Sequence, residues 1–60
     1  MALSEVERIA IEEDLQALTA RVRQLRAKME RGEELSDQER IELSACSDRI
    51  QALLARLERG

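Results

Sequence analysis

A chain of 60 residues forms at most one domain, and on its own it buries only a modest part of its surface. It contains one Cys and no His, which excludes zinc clusters, internal disulfides and catalysis by Ser–His or Cys–His pairs. The lack of aromatic residues and the net charge of -3 argue against nucleic-acid binding, because bases need stacking partners and phosphates need an excess of cations.

The uncharged stretches of the chain are too short to cross a membrane. The longest, residues 15–20 and 50–55, have six residues each, whereas a span needs about 20 apolar residues. The first residues, MALSEVE, lack the basic region and the apolar core of a signal peptide. We therefore expect a cytoplasmic protein that does not bind membranes and keeps its cysteine reduced.

Two capping signals and one glycine divide the chain into two predicted helices. Ser4 precedes Glu7 by three residues, and Ser36 precedes Glu39 by three, which is the spacing of a capping box. Gly32 lies between these segments, and glycine readily adopts the left-handed conformation that ends helices. The sequence predicts one helix from about 5 to 30, a turn from about 31 to 36 and a second helix from about 37 to 59, all in one domain spanning 1–60.

Apolar residues recur in both segments at alternating steps of three and four, as they do along the seam of a coiled coil. The first segment contributes Ile11, Leu15, Leu18, Val22, Leu25 and Met29. Folding at the turn predicts the pairs Leu25–Leu43, Val22–Cys46, Leu18–Ile50, Leu15–Leu53 and Ile11–Leu57, whose numbers each sum to 68. The predicted fold class is therefore all-α, an antiparallel two-helix hairpin of the coiled-coil type.

The charged segments are complementary in this arrangement. Residues 21–28 hold four cations and no acid, whereas residues 33–42 hold five acids and one Arg. Because these segments are antiparallel neighbours, we expect their charges to attract each other across the hairpin. At the other end, the charged residues expected to lie level with each other are Glu12, Glu13, Asp14, Arg56 and Arg59.

Apolar side chains outside the seam indicate that the hairpin associates with itself. Leu3, Val6 and Ile9 extend beyond the expected end of the second helix, while Ile41 and Leu54 also lie off the seam. A core this small hardly offsets the conformational entropy of ordering the chain. We therefore expect a homodimer in which Leu3, Val6 and Ile9 contribute to the contact.

Three groups of residues have both a structural and a functional interpretation. Cys46 lies on the seam, so we interpret it as a small core residue rather than a reactive thiol. The acids at 12–14 point in different directions and have no His beside them, which favours a solvated face over a metal site. The cations at 21–28 are better explained by the opposing acids than by binding of RNA or phosphate.

The segment ELSACSD, residues 42–48, is unusually neutral and rich in small side chains. With Cys46 on the seam, the outer face carries neighbouring polar residues at spacings of three and four, namely Ser44, Ser47, Asp48 and Gln51. Serine is a mediocre helix former, because its hydroxyl competes for backbone groups. The stripe is therefore either ordinary surface variation or a docking patch that permits close approach.

This segment resembles the signature of the stage-zero sporulation aspartyl-phosphate phosphatases, a family of short helical hairpins. That signature is Ser-Gln-x-Leu-Asp in the second helix, after a Leu-Thr/Ser-Asp start. Here residues 35–37 read LSD, and Ser44 and Asp48 match the Ser and Asp of the motif. The chain departs from the motif at Ala45, which replaces the Gln, and at Ser47, which replaces the Leu.

The resemblance covers roughly residues 11 to 57 and implies a partner and a mechanism. The partner is a phosphorylated response regulator whose receiver domain carries the phosphoryl group on its own Asp. That domain also holds the Mg²⁺, so the hairpin needs no cofactor or metal of its own. Asp48 or Gln51 would orient a water for in-line attack, while Ser44 and Ser47 would fit the helix to the partner.

The alternative interpretation is a non-enzymatic adaptor built as a homodimer of hairpins. The small residues of the stripe would then lie at a contact between helices of a four-helix bundle.

Overall fold

Two antiparallel helices, α1 and α2, make up the computed structural model, which describes residues 2–59. Helix α1 spans Glu5–Glu30 and helix α2 spans Asp37–Arg59. They pack against each other along their length and form a rod of 45 × 15 × 14 Å. The predicted fold class, an all-α helical hairpin, is confirmed, while its self-association stays a prediction.

A serine caps the start of each helix. Ser4 Oγ accepts a hydrogen bond of 3.1 Å from the backbone N–H of Glu7, and its hydroxyl donates to Glu7 Oε1 at 3.0 Å. At α2 the capping box is complete: the N–H of Glu39 donates to Ser36 Oγ at 3.1 Å, and the N–H of Ser36 donates to Glu39 Oε1 at 3.0 Å. These bonds satisfy backbone donors that have no partner inside the helix.

Gly32 ends α1 and turns the chain back. Its φ of 83° lies in the left-handed region, where a β-carbon is unfavourable. Its N–H donates to the carbonyl of Met29 at 2.9 Å, and the N–H of Glu33 donates to the carbonyl of Lys28 at 3.1 Å. Together these two bonds form a Schellman motif. A β-carbon at Gly32 would meet nothing within 4 Å, so the backbone conformation alone requires glycine here.

The core is a single line of side chains between the two helices. Its most enclosed members are Leu25 and Leu53, which are 1% and 2% exposed. Ile11 and Cys46 are also buried, and the half-buried seam residues are Leu15, Leu18, Val22, Leu43, Ile50 and Leu57. The burial pattern follows the predicted seam, and Cys46 is a buried free thiol. Many of these side chains stay half exposed because a hairpin has no second layer to cover them.

Two residues beside the turn differ from the expectation. Met29, assigned to the seam from its spacing, is 45% exposed, whereas Leu35, which the periodicity missed, is only 8% exposed. The chain leaves α1 at Arg31 and returns at Asp37. The intervening loop places Leu35 over the end of the seam, and this position does not depend on helical periodicity.

Replacing Gly32 by Ala should destabilise the hairpin by about 1–2 kcal/mol, the usual cost of the left-handed conformation for a residue with a β-carbon. Gly32→Asn is the matched control and should cost less, because Asn visits that region more readily. Urea unfolding followed by circular dichroism measures both. An Ala variant as stable as the native chain would contradict the strained-turn explanation.

Candidate functional site

Ion pairs join the helices along one side of the hairpin. In residues 2–59 the pairs between the helices are Arg21–Glu42 at 2.8 Å, Lys28–Glu39 at 3.0 Å and Arg56–Glu7 at 3.7 Å. In α1, Glu7 and Arg21 are 14 residues apart, and Arg21 and Lys28 are 7 apart. Both separations are whole heptads, so these three residues lie on one side of the helix. Glu42 and Arg56 are likewise 14 residues apart on α2. We call this row of six residues the ion-paired flank.

The expected complementarity of residues 21–28 and 33–42 is confirmed by the pairs of Arg21 and Lys28. The expectation for the other end is wrong for Arg56, which pairs with Glu7 rather than with the acids at 12–14. The predicted register places Glu12 level with Arg56, but the ion pair joins Arg56 to a residue five positions earlier in α1. Arg21 with Glu42 and Glu7 with Arg56 each sum to 63, whereas the predicted seam pairs sum to 68.

Hydrogen bonds hold two carboxylates of this flank, Glu39 and Glu42, in their ionised form. The pKa of Glu39 is lowered from 4.5 to about 2, first by the backbone N–H of Ser36 and then by the Lys28 ammonium, which donates at 3.0 and 3.1 Å. The Arg21 guanidinium lowers the pKa of Glu42 through its 2.8 Å hydrogen bond. These two carboxylates are therefore charged at neutral pH, and Glu39 links the cap of α2 to α1.

The predicted site residues lie on the other side of the seam. Ser44, Ser47, Asp48 and Gln51 are all exposed, so their expected exposure is confirmed, while their role stays a prediction. Ser47 directly follows a seam residue, whereas Glu42 directly precedes one, and such positions flank a coiled-coil seam on opposite sides. Within residues 2–59, none of these four side chains forms a hydrogen bond or an ion pair with any other residue.

Within the described residues 2–59, no ion pair joins the helices on the side of the seam that carries Ser47. In an antiparallel pair, we expect the same type of flanking position to meet on each side, and here the positions expected to meet have numbers that sum to 66. They are Glu12 with Leu54, Thr19 with Ser47, and Arg26 with Arg40. One pairing combines a charge with an apolar side chain, the second combines two hydroxyls, and the third combines two cations. We call these six residues the open flank.

The grooves beside the turn differ in the same way. One groove, of about 480 Å³, is lined by Met29, Glu34, Leu35, Arg40, Leu43 and Ser44, and is mostly apolar. The other is more polar and is lined by Arg21, Ser36, Gln38, Glu39, Ile41 and Glu42, which include members of the ion-paired flank. Ser44 and Arg40 thus connect the apolar groove to the open flank and to the predicted site.

Other predicted features occupy ordinary positions on the surface. Glu12, Glu13 and Asp14 are exposed, and no group of three or more potential metal ligands lies together within residues 2–59. Over the same residues, neither helix is long and apolar enough to span a membrane. Leu3 is half-buried, whereas Val6 and Ile9 are exposed.

Comparisons with known proteins find no matching family model, no matching curated protein and no matching solved structure. The resemblance to the sporulation phosphatases therefore stays a prediction that depends on Ser44, Asp48 and the LSD start of α2.

Acidification should destabilise the hairpin in part through Glu39. Because its folded pKa lies below its ordinary value, its stabilising effect is fully present above pH 4.5 and is lost as the pH falls towards about 2. Glu39→Gln keeps an oxygen that can accept in the capping box but removes the charge. It should therefore lose less stability than the native chain between pH 7 and about pH 2.5, as measured by urea unfolding.

Lys28→Gln is the matched variant for this prediction. Ser36 still donates to Glu39 in that chain, so Lys28→Gln should keep more of the pH dependence than Glu39→Gln. Equal acid sensitivity in the native chain and in Glu39→Gln would contradict the assigned role of Glu39.

Proposed function

We propose that this hairpin is a protein-interaction module that lays α2 against the phosphorylated receiver domain of a response regulator and promotes hydrolysis of its aspartyl phosphate. The observation that carries the proposal is the exposed stripe of Ser44, Ser47, Asp48 and Gln51 on the side away from the ion-paired flank. The matches of Ser44 and Asp48 to the phosphatase signature support the choice of partner.

The charge distribution of α2 supports docking at this stripe. Between residues 41 and 55, the charged side chains are Glu42, Asp48 and Arg49. Glu42 belongs to the ion-paired flank, and Arg49 lies one heptad further along the same side. In this part of the chain Asp48 is thus the one charge on the outer face, which is otherwise made of small or neutral residues. Such a face can approach an anionic phosphoryl site that a row of glutamates would repel.

The cations beside the stripe favour an acidic partner. Arg26 and Arg40 occupy meeting positions of the open flank, and both are exposed. Arg40 also lines the groove that Ser44 shares. Two like charges at neighbouring positions are stabilised by an anionic surface, which they also attract at long range. A receiver domain that carries aspartates and a phosphoryl group is such a surface.

The chemistry required of the hairpin is positioning. Asp48 and Gln51 are three residues apart and are therefore neighbours on one turn of α2. Their carboxylate and amide oxygens can accept the hydrogens of a water and hold it in line with the phosphorus–oxygen bond that breaks. The partner supplies the phosphoryl group and the Mg²⁺ that neutralises its charge. This division of roles explains how a chain without His could promote hydrolysis.

The test is to incubate phosphorylated receiver domains with Mg²⁺ and the hairpin and to follow the loss of label. The native chain should speed hydrolysis of at least one receiver. Asp48→Ala should slow that reaction roughly a hundredfold or more, because a misplaced water loses its alignment, while helix content stays constant. Glu13→Ala, which removes an exposed acid from the outer face of α1, is the matched control and should leave the rate unchanged.

Two outcomes would contradict parts of the proposal. If no receiver loses phosphate faster than its own intrinsic rate, the hairpin is not a phosphatase for that class of partner. If Asp48→Ala hydrolyses as fast as the native chain, the activity stands but the assignment of Asp48 is wrong.

A second candidate is the non-enzymatic homodimeric adaptor, and one observation favours it. Large apolar side chains remain exposed within residues 2–59, namely Val6, Ile9, Met29, Ile41 and Leu54. Receivers that bind the stripe without losing phosphate would favour this adaptor over the phosphatase.

A further inference from the structure

The hairpin exposes more surface than its mass requires. Its accessible surface is 4822 Å², whereas a folded monomer of 6.9 kDa exposes about 4000 Å² by the usual scaling of area with mass. The excess is roughly 800 Å², which is about the area that one partner contributes to a standard protein interface. The rod shape causes this excess, because two helices have no second layer.

We propose that a second copy of the chain supplies that layer, and that two hairpins pair through their open flanks in antiparallel orientation. The two-fold axis would pass at the level of Thr19 and Ser47, so that α1 lies against α1 of the second copy and α2 against α2. The product is a four-helix bundle. The uncharged residues Thr19 and Ser47 then meet their own copies at the axis, where a charged residue would meet a like charge.

The charges of the open flank are complementary in this arrangement. Glu12 and Arg26 are each seven residues from Thr19, so the axis brings Glu12 of one copy level with Arg26 of the other. Within one chain these residues are 14 positions apart, which is about 21 Å along the helix, and they cannot pair with each other. A parallel dimer would instead place the cluster of Arg26 and Arg40 against its own copy.

The exposed apolar side chains are complementary as well. Leu54 and Arg40 are each seven residues from Ser47, so Leu54 of one copy reaches the groove of the other that Arg40 and Leu43 line. Ile9 and Met29 are each ten residues from Thr19, so the same two-fold rotation brings Ile9 of one copy level with Met29 of the other. The dimer thus covers Ile9, Met29 and Leu54, all of which are 45–48% exposed in the single hairpin.

Self-association of this kind would regulate the site proposed above. Ser44, Ser47 and Gln51 lie on or beside the open flank, which the dimer would bury. Dimer formation and receiver docking would therefore compete for these residues. This consequence rests on the proposed function, whereas the dimer itself does not.

Charge reversal tests the dimer without any receiver. Sedimentation across a dilution series should give twice 6.9 kDa for the native chain at high concentration. Glu12→Arg and Arg26→Glu should each raise the dimer dissociation constant roughly tenfold, because each places like charges together twice per dimer. The double variant should return it to near the native value. Since the two residues are too far apart to pair within one chain, such a rescue requires contact between copies.

Glu13→Arg is the matched control, because it makes the same change one residue along, outside the open flank. It should leave the mass unchanged. A native chain that stays at 6.9 kDa up to millimolar concentration, or a double variant that dissociates as readily as the single ones, would overturn the proposal.

Cross-linking gives a second measurement that does not depend on changing charge. In a Cys46→Ala background, Ser47→Cys should form a covalent dimer with a short bismaleimide, because two copies of residue 47 meet at the axis. Ala45→Cys, on the other side of α2, should form little. Equal cross-linking of the two variants would overturn the antiparallel arrangement.

Discussion

The line of apolar contacts between α1 and α2 determines the other features of this hairpin. Leu25 and Leu53 are almost completely enclosed, and burying such side chains is the main force that holds two helices together. Once that seam is set, each remaining residue is assigned to a flank or to the outer face by its distance from the seam. The turn at Gly32 and the serine caps support this arrangement by ending and starting the helices at the right residues.

The two flanks of the seam have different chemistry, and this difference is what suggests a function. One flank is joined by ion pairs of opposite charge, which hold the helices in register. The other, which carries Thr19, Ser47, Arg26 and Arg40, has no ion pair between the helices within residues 2–59, so it contributes little to the hairpin itself. A flank with unmatched cations, small hydroxyl side chains and an adjoining apolar groove is suited to a partner. The partners that we propose for it are a second copy of the chain and an acidic receiver domain.

The sequence was sufficient to predict the features that depend on local signals or on helical period. These are the capping serines, the turn at Gly32, the burial of Cys46 and the exposure of Asp48. Leu35 was missed because the path of a loop has no period. The Glu7–Arg56 pair was missed because the charges at that end were placed by the predicted seam register, which sets Arg56 level with Glu12. The partner could not be predicted, because binding depends on a second surface that this chain does not contain.

The central claim is that the face of α2 that carries Cys46 packs against α1. Thiol alkylation tests this claim most directly. In dilute solution, native Cys46 should react slowly, because it is 8% exposed between the helices. A chain with Cys46→Ala and Ser47→Cys should react at least tenfold faster, since residue 47 is exposed in the single hairpin. Equal rates for the two thiols, or a faster reaction at Cys46, would place the seam on a different face of α2 and contradict the assignment of both flanks.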